Sequence, residues 1–324
     1  MQTSILLAAI APVFAIIAAG FLIRRNGVLS AQADSSLLRI CVNVLYPCLI
    51  VSTIVGNEAL HQASNVWLPP LTGFMTVGMG FLVCYGGARL LRIPHGRSTR
   101  TFVYVAGMYN YSYTAIPIIQ QIFGTKALGV LFTHNLGVEI AFWIGASLIL
   151  AGHSETGETG QANIWRRIIS MPVIAILLSL LLNFAHAGEH LPLWLLGAVR
   201  MTGAAAIPMA LLLTGATLDD FLEEVRPSPS EAAILTTACL LRLGLLPLGF
   251  LALARWLPCS IELKEVLIVQ AAMPCAMLPV VLSKHYGADA GMAVQIVLGT
   301  TALSILTIPY WIRFGMAFTS IHPF

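Results

Sequence analysis

GMYNYSYTAIPIIQQIFG, residues Gly107 to Gly124, decides how this chain is read. The segment lies where an apolar membrane-spanning helix is expected, yet it carries Asn110, Ser112, Thr114 and a central Pro117. Proline has no N–H and clashes with the preceding helical turn, so it breaks a helix interior. Freed backbone groups cannot face lipid; they are tolerated only inside protein or along a wet cavity. The segment therefore makes sense only if the rest of the chain is a membrane protein that supplies such a place.

The composition says that it is. Of 324 residues, 58% are hydrophobic and 10% charged, and the mean hydropathy is +0.85. Soluble domains hold about 25% charged residues. A chain this apolar is expected to be an all-α integral membrane protein with lipid as its main partner. The net charge of +3 is small, and no basic run is long enough for a nucleic-acid patch. Cys41, Cys48, Cys84, Cys239, Cys259 and Cys275 are scattered through apolar sequence without a CxxC pair, which reads as apolar filling rather than disulfides or metal ligands. No HExxH, no GxSxG and no pair of carboxylates within one span appears, so no enzyme is expected. No cofactor is expected either, beyond Na⁺ or H⁺ as a coupling ion.

Ten apolar segments can be drawn, over about 4–23, 36–55, 66–91, 99–122, 127–151, 167–187, 191–216, 231–256, 263–286 and 290–317. Nothing basic precedes the first run, and Arg24 and Arg25 follow it, which is the wrong polarity for a cleaved signal. Alternate connections hold Arg24 and Arg25, then Arg89, Arg92, Arg97 and Arg100, then Arg166 and Arg167, Arg226, and Lys284. The other set holds only Lys126, Arg255, Lys264 and Arg313. By the positive-inside rule the first set is cytoplasmic, which puts both termini of a multi-pass inner (plasma) membrane protein on the outer side.

The two halves resemble each other. Pro12, Arg39, Pro47 and Pro117 match Pro172, Arg200, Pro208 and Pro279 at an offset drifting only from 160 to 162 residues. Five spans in each unit is an odd number, so the second unit enters the membrane inverted, as in many secondary transporters. The expected organisation is a five-helix repeat over 1–151, a central cytoplasmic loop over 152–165 and an inverted five-helix repeat over 166–324. Span nine, VQAAMPCAMLPVVLSKHYG, is interrupted by Pro274 and Pro279 and is the repeat partner of span four. Broken helices at spans four and nine are expected to cross near the midplane, with half-helix N-termini near Thr114–Pro117 and Met277–Pro279. Each such end carries about half a positive charge and unpaired N–H groups, which suits a carboxylate. Two ordinary proline kinks packed among neighbours are the competing reading.

On this basis the candidate substrate-binding residues are Asn110, Ser112, Thr114, Pro117, Gln270, Pro274, Met277, Pro279 and, from span two, Asn43. Glu139 in HNLGVEIAFW lies deep in span five, where a carboxylate is costly and functional by default. It is the candidate ion-coupling residue, helped by Asn110 and Gln270, with a structural hydrogen bond as the alternative role. His134 and Asn135 lie about one turn from it. Tyr109, Tyr111 and Tyr113 alternate, so on a helix they share no face and packing is expected of them. The apolar faces of spans two and seven are expected to close the crossing.

These residues also carry a resemblance. APVFAIIAAGFLIRRNGVL from Ala11, VNVLYPCLIVST from Val42, the N-x6-P pattern from Asn110 to Pro117, IPMALLLTGATL from Ile207, QAAMPCAMLPVVLSKHYG from Gln270 and LTIPYWI from Leu306 occur in the order and spacing of the auxin efflux carrier family. The chain resembles the short, bacterial-type members of that family. The resemblance implies a bile-acid sodium symporter-like fold, with spans one, two, six and seven as scaffold and spans 3–5 and 8–10 as a transport domain that moves like an elevator. It implies a small organic anion such as malate, malonate or lactate as substrate. The scaffold helices offer a surface for a homodimer. Glu139 departs from the plant carriers, which have a neutral amide there and work without an essential coupling ion. The function expected is a secondary active transporter of an organic anion with H⁺ or Na⁺ coupling; alternatives are an uncoupled uniporter or channel, and a membrane sensor.

Overall fold

The computed structural model describes residues 3–93, 96–150, 168–224 and 232–321. In chain order its helices are α1 (Thr3–Arg25), α2 (Ala31–Ile54), α3 (Ser64–Leu90), α4 (Arg97–Gly107), α5 (Ala115–Ile122), α6 (Gly124–Leu150), α7 (Met171–Phe184), α8 (Leu193–Ala204), α9 (Ala206–Glu224), α10 (Ala232–Trp256), α11 (Ile261–Ala272), α12 (Leu278–His285) and α13 (Ala290–Thr319). The expected loop 152–165 and Arg166, Arg167 and Arg226 lie outside the described residues. Apart from one isolated bridge, Tyr109 to Cys275, no strand occurs among the described residues. Helices close their own backbone hydrogen bonds, which hydrocarbon cannot do for them. Among the described residues, seven are long and apolar enough to cross a membrane: α1, α2, α3, α6, the continuous pair α8–α9, α10 and α13.

Proline shapes several of these rods. Pro47 in α2 and Pro247 in α10 each follow a widened turn of π type, Cys41–Leu45 and Leu241–Leu245. A proline cannot donate to the carbonyl one turn back, and a widened turn relieves the resulting clash. Ala205 interrupts the rod between α8 and α9, and Pro208 sits in the first turn of α9.

Packing follows small residues. Helices α1 and α9 lie together, and a Cβ on Gly20 would run into the backbone at Leu212, as one on Gly215 would run into Ile17. Without lipid-exclusion forces, close backbone approach at small residues is what holds membrane helices together. Helix α7 packs on the second half of α2, and so does α8; α3 packs on α6 and α4, and α10 on α11 and α13. Helix α6 is the most enclosed of the seven: 72% of its apolar window is buried, against 22–44% in the others. A side chain on α6 therefore meets protein, not lipid, on most of its faces.

Candidate functional site: a crossing of two interrupted helices

Helix α4 ends at Gly107 and α11 ends at Ala272, and each is followed by extended backbone at Met108 and Met273. The two extended stretches pair. The Asn110 N–H donates to the Pro274 carbonyl at 2.8 Å, and the Ala276 N–H donates to the Met108 carbonyl at 3.0 Å. Each interruption thus satisfies groups that the other has freed, the condition for irregular backbone at membrane depth. After the crossing the chain turns into α5, capped at Thr114, and into α12, capped at Met277. Pro117 and Pro279 do not themselves make the gaps. They sit in the first turns of α5 and α12, where a missing N–H costs nothing. Pro274 lies within its gap.

Both half-helix starts open on one cavity of about 250 Å³. Asn110, Tyr111, Ser112 and Tyr113 line it from the first interruption, and Ala276, Met277 and Leu278 from the second. Phe132, Asn135, Glu139 and Trp143 of α6 form another wall. The remaining wall comes from Val42, Tyr46 and Ile50 of α2 and from Ser170, Pro172, Val173 and Ile176 at the start of α7. The seventh span, expected to share in closing the crossing, contributes no lining residue. It packs against α1 and α2 instead, and α7 takes that place.

Polar groups converge on the cavity with few of their own kind to satisfy them. The Tyr111 hydroxyl donates to Oε1 of Glu139 at 2.6 Å. Asn110 Nδ2 donates to Thr114 Oγ1 at 3.0 Å. The Tyr111 carbonyl accepts from Gln270 Nε2 at 3.0 Å and from Asn135 Nδ2 at 3.4 Å. Asn135 Oδ1 and Gln270 Oε1 are buried without a hydrogen-bond partner. Among the described residues, no lysine, arginine or histidine lines the cavity.

Of the candidate residues, Asn110, Ser112, Met277 and Glu139 face this cavity. Thr114, Pro274 and Gln270 are buried beside it and brace it through the bonds given above. Asn43 is exposed and donates to the Arg39 carbonyl of its own helix, while Val42 and Tyr46 supply that wall. His134 is buried away from the cavity, with Nδ1 3.2 Å from Thr72 Oγ1 and Nε2 3.2 Å from the Tyr109 hydroxyl. The three tyrosines are not on a helix at all. The extended backbone sends Tyr109 toward His134, whereas Tyr111 and Tyr113 line the cavity. Extended chain throughout would put all three on one face; the turn over 111–114 is what separates Tyr111 and Tyr113 from Tyr109. Tyr46, Trp143 and Ser170 carried no signal in the sequence.

Membrane-spanning helices around two interrupted ones, with a small cavity where the interruptions meet, define a membrane transporter. The chain belongs to the membrane transport protein family, whose model matches residues 5–312. The resemblance noted in the sequence thus holds along nearly the whole chain. It is 26% identical over 303 residues to an uncharacterized transporter of Methanothermobacter thermautotrophicus, covering 92% of this chain and 95% of that protein. An uncharacterized transporter of Methanocaldococcus jannaschii is 21% identical over 306 residues, with the same coverage.

Proposed function

We propose that this protein is a secondary active transporter of a small organic anion, whose carboxylate sits between the starts of α5 and α12. One observation carries the reading: two half-helix N-termini, from interruptions hydrogen-bonded to each other, open on one shared cavity. Their partial positive charge favours an anion. The volume suits a molecule below the usual size of a drug-like ligand.

Glu139 supports ion coupling. With no basic residue among the described residues of the lining, an anion entering beside an ionised Glu139 would meet a like charge in a poorly hydrated space. A proton on Glu139, or a Na⁺ beside it, removes that conflict, so anion and cation enter together.

The proposed architecture is ten spans in two inverted repeats, 1–151 and 166–324, with α4–α5 and α11–α12 as spans four and nine. Support comes from the packing. Exchanging the halves turns the contact of α1 with α9 into that of α7 with α2, and both contacts exist. Spans one, two, six and seven would form the scaffold, able to hold a second copy, and the rest a transport domain moving as an elevator. At one end Arg24 pairs with Asp34 and Asp220, Arg25 with Asp219, and Lys284 with Glu224. That end would be the cytoplasmic one, leaving both termini outside the inner membrane.

The test is uptake of radiolabelled organic acids into proteoliposomes under imposed H⁺ or Na⁺ gradients. Accumulation above equilibrium that collapses with one gradient is expected. Uptake that only ever equilibrates, and that Glu139→Gln leaves unchanged, would establish an uncoupled uniporter or channel instead.

A further inference from the structure

One buried charge takes no part in the cavity. Arg242, in the widened turn of α10, has no exposed surface, yet no carboxylate lies within ion-pair distance of it among the described residues. Its guanidinium lies 5.3 Å from the ring centre of Tyr109 and 5.1 Å from that of Phe250. Nη2 donates to the Ala271 carbonyl at 3.3 Å, and Nε and Nη1 have no hydrogen-bond partner. An unpaired buried cation is expensive, and within membrane spans it marks function.

Its position suggests which function. Ala271 lies in the last turn of α11, where carbonyls lack helical partners and the helix carries partial negative charge. Tyr109, under the guanidinium, is the residue bridged to Cys275 at the crossing. In transporters built on interrupted helices, unwound carbonyls and half-helix C-termini are where a coupling cation binds. We propose that Arg242 is a built-in cation of the crossing, standing where a coupling sodium ion would otherwise bind. A guanidinium is never deprotonated in a protein, so the place is filled throughout the cycle.

The consequence for coupling rests on the transporter reading above. With Arg242 positive and Glu139 negative, the empty centre sums to zero. A monoanion brings the sum to minus one, and a proton taken up by Glu139 restores zero. Among the described residues the titratable groups around Glu139 are tyrosines: Tyr111 bonded to it, with Tyr46, Tyr104 and Tyr113 near it, while His134 of the same helix faces Thr72 and Tyr109. None of these supplies a second positive charge, so the proton falls to Glu139 and sodium has no part.

The test uses the purified full-length protein and Na⁺ itself as probe. Melting temperature is measured in sodium chloride and in choline chloride at equal ionic strength, for wild type, Arg242→Lys, Arg242→Ala and Arg242→Gln. Wild type and Arg242→Lys are expected to melt alike in both salts. The neutral variants are expected to melt lower in choline and to recover by about 2–4 °C in sodium, because the vacated carbonyl end then binds the ion. A sodium-specific rise in wild type overturns the proposal, as do neutral variants that fold and ignore sodium. If neither neutral variant folds while Arg242→Lys does, the need for a positive charge there stands. Failure to accumulate any organic acid in proteoliposomes would instead remove the transporter reading and leave the salt result intact.

Discussion

The Tyr111 hydroxyl donates to Glu139 Oε1 at 2.6 Å, tying the interruption between α4 and α5 to the most enclosed of the seven long apolar helices. The same Tyr111 offers its carbonyl to Gln270 and Asn135, so one residue joins the carboxylate to the backbone that shapes the cavity. Tyr111→Phe removes one hydrogen bond to a charged group, worth about 1.5–3 kcal/mol, so uptake should fall about tenfold or more. Glu139→Gln should abolish accumulation driven by an ion gradient while leaving equilibrative exchange measurable. Initial-rate uptake across external pH values reads both. A Glu139→Gln protein that still concentrates substrate would remove Glu139 from coupling.

The crossing itself can be trapped chemically. Tyr109 and Cys275 face each other in the antiparallel bridge as a pair that exchanges no hydrogen bonds of its own. Such pairs have Cα atoms about 4.5 Å apart, within disulfide reach. In a background with the other five cysteines replaced, Tyr109→Cys should form a disulfide with Cys275 on mild oxidation. Two thiols that stay free under oxidation, counted by mass after alkylation, would show that the interruptions do not meet.

Close backbone contact between α1 and α9 should tolerate no side chain. Gly215→Leu has to push its Cβ into the backbone at Ile17, with no flexible neighbour to give way. Overpacking of this kind costs about 1–3 kcal/mol or more, so the melting temperature in detergent should drop by several degrees. Gly78→Ala, with nothing within 4 Å of its Cβ, is the control and should change little. Equal effects of the two would argue against this helix pairing.

Ion pairs at the two ends should differ in weight. The Arg24 side chain is only 7% exposed and serves both Asp34 and Asp220, the latter 40% exposed. Arg24→Ala should cost about 2–3 kcal/mol, short of a fully buried pair because Asp220 is partly solvated. Glu58 and Lys126, 2.7 Å apart, are exposed, so Glu58→Gln should scarcely move the melting temperature. The bonded ammonium of Lys126 holds the Glu58 carboxyl below its ordinary range. A depressed acid contributes above its unfolded pKa and stops contributing as pH falls through its folded one. Any effect of Glu58→Gln should therefore vanish in acid and weaken in high salt. Persistence of the effect at low pH would contradict this pairing.

Much of the arrangement was legible in the chain. Apolar runs long enough to span a membrane leave helix as the only backbone solution, and Asn110, Ser112, Met277 and Glu139 stood out because polarity and proline are costly in hydrocarbon. The reach of Gln270 to the Tyr111 carbonyl could not be read, because those residues lie 159 positions apart. Asn43 lies one residue from Val42, which does line the cavity, and only the phase of the widened turn Cys41–Leu45 decides which of them faces in.

What the sequence determined by itself is local: hydropathy dictates which stretches are rods, and polar residues beside proline mark the two that are broken, since those costs are incurred within a turn or two of the residue. What the tertiary structure alone decided is which groups converge. Tyr46, Trp143 and Ser170 meet at one cavity, α7 rather than the seventh span closes it, and Arg242 lands against the end of α11. Those outcomes depend on how small residues let distant backbones approach and on which freed carbonyl or N–H finds a partner across the fold, and neither is written in any single segment.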